Sequence, residues 1–285
     1  MSSPESVYTR GVIREGKKPD ELVSVIMAGV HGNEPAGRKA FDLVVPDLTI
    51  KNGKVIFIYG NPRAMAEGTR FSQGGANLNG MFKDDADLSV RERSSYEYDR
   101  AQELKPTLLS STALLDVHGT ANPDSVPFVI AEPGKPLAIA RHLPYDIISS
   151  GYDEQQPGGT DHFMNKHGRV GICCETGPNG HEHSVPKAVE SIRTFLQIRG
   201  HIEGETEPRD NQKHIRVKGM HRAKDTFTFR EPFPEFAPVE KDEVIGTDGS
   251  NTITASDKGY LIFTSQLIVP PGDEAFLFGK DAPLR

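Results

Sequence analysis

The sequence predicts an α/β protein: a mixed, largely parallel sheet flanked by helices, followed by a small β-rich C-terminal domain. Three observations lead there. From residue 20 to about residue 200, strand-like apolar runs alternate with helix-like ones. The first of these strands, within "LVSVIMAG", is short, rich in Val and Ile and nearly continuous in apolar character, as a strand covered on both faces must be. After about residue 205 no long helical pattern returns, and short runs separated by turn signals take over.

Taken in order, the predicted strands are residues 22–29, 54–61 ("KVIFIYGN"), 113–119 ("ALLDVHG"), 127–132 ("PFVIAE"), 146–149 ("DIIS") and 169–177 ("RVGICCETG"). Between them, "EPAGRKAFDLVV", "SYEYDRAQELKPTLLSS", "KPLAIARHL" and "TDHFMNKHG" read as helices. Beyond Ser184, residues Val185, Ala188, Val189, Ile192, Phe195 and Leu196 share one helical face. A polar stretch, "EGETEPRDNQKH", then leads to "HIRVKG", "TFTF", "EVIGTDGSN", "GYLIFTS" and "EAFLFGK". This divides the chain into residues 1–204 and a β-rich portion, residues 205–285.

Composition limits the functions open to such a chain. The net charge of −7 counts against a general nucleic-acid binder, which needs clustered Lys and Arg to neutralise phosphates. No apolar run reaches the roughly 18 residues that a membrane-spanning helix requires. The N-terminal stretch is polar and has no apolar core, unlike a secretory signal. The two cysteines, Cys173 and Cys174, are adjacent, so strand geometry points them to opposite faces and disfavours a bridge. Reduced thiols fit a cytoplasmic protein. A homo-oligomer is compatible with all of this.

In α/β sheets, ligands sit beyond the carboxyl ends of the strands, so the titratable residues at those ends carry the most information. The first strand ends in His31 and Glu34, the second in Asn61-Pro62-Arg63, the third in Asp116 and His118, and the last in Glu175. Singly, each has an ordinary explanation: a histidine at a strand end is commonly a hydrogen-bonded surface group, and Arg63 or Glu175 a surface ion pair. Together they provide two imidazoles and a carboxylate, the donor set of a catalytic zinc with its fourth position open. Asp116 is placed to accept a hydrogen bond from His118, with a solvated or capping carboxylate as the alternative. Glu175, flanked by Cys174 and Thr176, would be partly desolvated and so suited to act as a general base. Arg63 would face the scissile carbonyl and stabilise an oxyanion. Gly32 would let the backbone turn sharply within "HGNE".

The motifs "GVHGNEPAG", "NPRA", "LNGMF", "LLDVHGT" and "ETG" resemble those of the succinylglutamate desuccinylase/aspartoacylase family, a branch of the zinc carboxypeptidase-like fold. The resemblance covers roughly residues 20–200. It implies that His31, Glu34 and His118 bind one zinc ion (Zn2+) per chain, that Glu175 activates water, and that Arg63 polarises the carbonyl of a small acylated substrate. It also implies a catalytic domain followed by a small β-rich domain that borders the site.

Two positions depart from the family pattern. Deacylases of this family carry Asn-Arg where this chain has Asn79-Gly80, and the missing Arg is the one that would hold a substrate α-carboxylate. Aspartoacylases place a further Arg shortly before the strand of the catalytic Glu, where this chain has Asp161 and His162. Asp161 either caps its helix or meets a cationic group on the substrate. Arg70, Arg141 and Arg169 are the candidate replacements, with Arg70 the best placed. The expected protein is a zinc-dependent hydrolase of acyl amides or esters. A carboxypeptidase or peptide amidase, and a non-catalytic zinc-containing binding protein, are the alternatives.

Overall fold

The computed structural model describes residues 12–120, 122–264 and 266–284. Its strands are β1 (Val12–Glu15), β2 (Val23–Ala28), β3 (Lys54–Tyr59), β4 (Ala113–Thr120), β5 (Phe128–Ala131), β6 (Ile147–Ser150) and β7 (Val170–Pro178). From the C-terminal portion come β8 (Lys213–Arg222), β9 (Phe227–Phe229), β10 (Ala237–Val239), β11 (Val244–Asp248), β12 (Asn251–Thr254), β13 (Gly259–Ile262), β14 (Ile268–Val269) and β15 (Glu274–Asp281). The helices are α1 (Pro35–Val44), α2 (Pro62–Glu67), α3 (Val90–Arg93), α4 (Tyr96–Ser110), α5 (Lys135–Ala140), α6 (Tyr152–Gln155), α7 (Thr160–Lys166) and α8 (Ser184–Ile198).

One mixed sheet runs through the molecule in the order β1-β3-β2-β4-β7-β5-β6-β8-β15-β13-β10. Its centre, β3-β2-β4-β7, is parallel, and every residue of β2 is buried, as its unbroken apolar run requires. Strand β5 enters antiparallel to β7, and β6 then pairs parallel with β5. On one face, Ile26 and Ala28 pack with Phe41 and Val44 of α1 and with Ile192, Phe195 and Leu196 of α8. On the other, Val25 and Met27 pack with Leu104 and Leu108 of α4 and with Phe163 and Met164 of α7. The α8 face expected from sequence is present, with Ala188, Ile192, Phe195 and Leu196 buried.

The short edge strand β1 did not stand out in the sequence. It alternates half-buried and exposed residues over four positions, too brief for a periodic signal, and depends on β3 for its pairing. The C-terminal portion is hydrogen-bonded into the main sheet, because β8 runs parallel to β6 from Ile147↔Lys213 to Ser150↔Arg216. Strands β15, β13 and β10 extend it antiparallel. A second sheet, β12-β11-β9-β14, packs on these through Phe227, Phe229 and Phe276. Among the described residues no helix is long and apolar enough to cross a membrane.

Candidate metal centre and active site

The carboxyl ends of β2, β4 and β7 lie side by side, and the register aligns His118 with Glu175. Gly29, at φ +70°, ends β2, and Glu34 stands at the N-terminus of α1 with Pro35 as its first helical residue. The sharp turn belongs to Gly29. Gly32 serves close approach instead, because a Cβ there would lie 2.0 Å from the Ala64 carbonyl carbon of α2.

His31, Glu34 and His118 are all buried, and one donor atom from each lies within 4.8 Å of the others. His31 Nδ1 is 2.7 Å from Glu34 Oε1, while His118 Nδ1 is 3.0 Å from Glu34 Oε2 and 3.2 Å from His31 Nδ1. The outward nitrogens face acceptors. Asn77 Oδ1 lies 3.0 Å from His31 Nε2, and Asp116 Oδ2 lies 3.3 Å from His118 Nε2. The Asn77 oxygen favours a proton on His31 Nε2, and the Asp116 carboxylate favours one on the neighbouring His118 Nε2; with protons there the Nδ1 lone pairs face the Glu34 carboxylate, as a metal needs. The donor set therefore fits a divalent ion such as zinc.

Electrostatics follow the crowding. Burial disfavours the charged form of His31 and holds its pKa below the usual value, despite Glu34 beside it. At His118 burial acts the same way, but Asp116 and Glu34 outweigh it and raise its pKa well above the usual value. Glu34 resists burial because both imidazoles hold it ionised, well below the ordinary carboxylate range. Glu175 is pushed up to about 8, chiefly by burial; Glu34 adds to the rise, and His118 and Arg70 oppose it. Its Oε2 has no hydrogen bond among the described residues.

The other predicted residues are placed as follows. Asp116 is buried between the His118 ring and the Thr160 hydroxyl, which donates to its Oδ2. Arg70 reaches in from its loop, Nη1 donating to Glu34 Oε1 at 3.2 Å. Arg63, in the first turn of α2, lays its guanidinium over the Tyr96 ring, 4.0 Å from the centroid. Arg169 lies at the opposite end of β7, where it donates to the Ser111 carbonyl. Asn79 and Asp161 border Gly159 together: a Cβ on that glycine would lie 2.6 Å from Asp161 Oδ1 and 3.2 Å from Asn79 Oδ1. Asp161 is pushed up to about 7, first by burial and then by Asp153. No atom lies within 4 Å of a Cβ built on Gly80.

Sequence reasoning missed Asn77, Thr160, Glu97 and Glu235. Asn77 also accepts from Asn79 N–H at 3.0 Å, so one amide oxygen faces the His31 ring and closes its own turn. Buried Glu97 accepts from Asn61 Nδ2 and from the backbone N–H groups of Ser72 and Ala76, at 3.1, 2.8 and 3.0 Å. These bonds tie the loop carrying Arg70 and Asn77 to α4. The Asn-x-Asn spacing of "GANLNG" was the only local signal for any of the four.

The fold and site define a class: an α/β protein with a buried two-histidine, one-carboxylate group at the carboxyl ends of parallel strands. Residues 22–198 match the succinylglutamate desuccinylase/aspartoacylase catalytic domain, and the chain belongs to that family. It is 34% identical over 105 residues to a succinylglutamate desuccinylase of Pseudoalteromonas atlantica, a stretch covering 35% of this chain and 29% of that relative. Its fold is similar to that of a succinylglutamate desuccinylase/aspartoacylase from Rhodobacter sphaeroides, with a TM-score of 0.75 at 20% identity over 96% of this chain and 89% of the other. A succinylglutamate desuccinylase from Vibrio cholerae is similar too, with a TM-score of 0.75 at 20% identity over 91% of this chain and 81% of that one.

Proposed function

We propose that the chain is a zinc-dependent hydrolase that cleaves the acyl amide, or ester, bond of a small molecule, with His31, Glu34 and His118 as the metal ligands. The observation that carries this reading is the convergence of both Nδ1 atoms on the Glu34 carboxylate, with Glu175 aligned beside His118. A bound zinc ion supplies Lewis acidity there, making water a nucleophile near neutral pH and polarising a carbonyl.

The chain's own residues do the rest. Glu175, whose Oε2 has no hydrogen bond among the described residues, takes a proton from the attacking water and passes it to the leaving amine. Asp116 and Asn77 hold the two imidazoles in one tautomer and orientation. Arg63 donates to the oxyanion once it swings from Tyr96. Arg70, Asn79 and Asp161 contact the substrate. Residues 1–204 supply these groups as a catalytic domain, and residues 205–285 border the site as a second domain of a cytoplasmic protein. With Gly80 in place of Arg and Asp161 in place of a second Arg, the pocket favours neutral or cationic substrates over dicarboxylates.

The test is amine release by the zinc-loaded protein from N-acetyl and N-succinyl amino acids and from the same compounds with the α-carboxylate amidated. The amidated compounds are expected to be cleaved faster. Glu175→Gln should retain stoichiometric zinc and lose about 10²–10⁴-fold in kcat. Unchanged turnover in that variant would refute the assignment, and full zinc occupancy with no turnover of any amide or ester would favour a binding protein.

A further inference from the structure

Glu235 belongs to the C-terminal portion, between β9 and β10, yet it reaches the neighbourhood of Glu175. It is 6% exposed, and its Oε1 accepts the Phe263 N–H at 2.8 Å. No cationic side chain pairs with it among the described residues. The aromatic packing fixes where it sits. The Phe236 ring meets Phe128 edge-on at 4.9 Å, and Phe263 meets both Phe128, at 6.0 Å, and Tyr152, at 5.9 Å. Phe128 is the register partner of Glu175 on the adjoining strand. Glu235, next to Phe236 in sequence, accordingly stands at the aromatic cluster that covers Phe128 and, through its register partner, the Glu175 end of β7.

Glu175 Oε2, on a residue 9% exposed, makes no hydrogen bond among the described residues, and the reaction accounts for that atom. The Glu235 carboxylate has no such account. An acid buried among aromatic rings with no counter-ion is costly to keep charged, and the cost is offset when a cation is brought to it. The surrounding Phe and Tyr rings favour an organic cation further.

We propose that Glu235 seats a cationic group of the substrate, a primary ammonium, on the Glu175 side of the aromatic cluster. This rests on the reading of the site as an amide hydrolase, and it names the substrate class as an acylated amine carrying a second, free amino group. Glu235 is then a specificity-determining residue contributed by the C-terminal portion to a site otherwise built before residue 180.

The experiment uses N-acetyl-α,ω-diamines of three to five carbons, each beside the neutral N-acetylalkylamine of the same length. Turnover is measured on the zinc-loaded chain. Binding is measured by calorimetry on zinc-loaded Glu175→Gln, where hydrolysis does not compete. At the best length, the ammonium compound should bind and turn over at least tenfold better than its neutral counterpart. Adding Glu235→Gln should collapse that ratio to within about twofold through KM, and Glu235→Asp should leave an intermediate ratio, provided thermal melts show both folded. Loss of all turnover with the binding ratio intact would overturn the hydrolase reading and leave this inference standing. Equal binding of charged and neutral compounds, or a ratio unchanged in Glu235→Gln, would overturn this inference whatever the turnover.

Discussion

Glu235 accepts a backbone N–H at one oxygen, and burial pushes its pKa from 4.5 up to about 7. Between those values the folded chain holds a proton that the unfolded chain has released, so this group makes stability fall as pH rises through the window. Denaturant unfolding of the metal-free protein should show Glu235→Gln gaining on the wild type from pH 4.5 to pH 7, by on the order of 2–3 kcal/mol at the upper end. Gly80 offers a second test at this scale. Open space around its Cβ position means that Gly80→Arg should fold with a Tm within a few degrees of the wild type. The added guanidinium should shift kcat/KM toward substrates with a free α-carboxylate by about tenfold or more, read on paired acids and amides. The buried group of His31, Glu34 and His118 was legible at this scale, because all three sit at strand ends within distinctive short motifs. Glu235 was not: "FPEFAP" gives no sign that its acid is buried against another strand.

At the scale of elements, α7 carries Asp161 and Thr160, and its distance from β7 sets where both side chains point. Gly171 in β7 controls that distance, since a Cβ there would lie 2.2 Å from the Asp161 carbonyl oxygen. Gly171→Ala must push α7 outward, moving Thr160 off Asp116 and Asp161 away from Asn79. We expect a loss of about 1–3 kcal/mol in urea unfolding, with kcat falling and zinc content retained. The helix spans were legible because they are local. Residues 95–111 were read as one helix, and α4 spans Tyr96–Ser110 with Ser95 capping Tyr98 N–H. The polar stretch before β8 was read as a linker, yet its last residues are anchored. Gln212 Nε2 donates to the Tyr145 carbonyl at 2.8 Å, and buried His214 shares a 2.8 Å hydrogen bond with the Ser150 hydroxyl. Their partners are remote in sequence, so no local pattern announces them.

For the whole molecule, the proposed metal site joins the end of β2 to β4, and filling it would stabilise the folded chain by mass action. An ion at a thousand times its Kd contributes about 4 kcal/mol. Chelation should therefore lower Tm by several degrees, zinc should restore it, and His118→Ala should abolish the difference between the two melts. The sequence by itself determined the alternation of strands and helices, the change of character after residue 205, and the grouping of two histidines and a carboxylate at the strand ends. These follow from side-chain periodicity and short motifs, which act over a few residues. Only the tertiary structure decided that β8 would join β6 and carry the main sheet into the C-terminal portion. It alone decided that Asn77 would orient His31, and that Glu235 would be buried with no cationic side chain paired to it among the described residues. Those outcomes depend on contacts between distant segments, and burial, which sets the chemistry of a carboxylate, exists only once such segments have closed on one another.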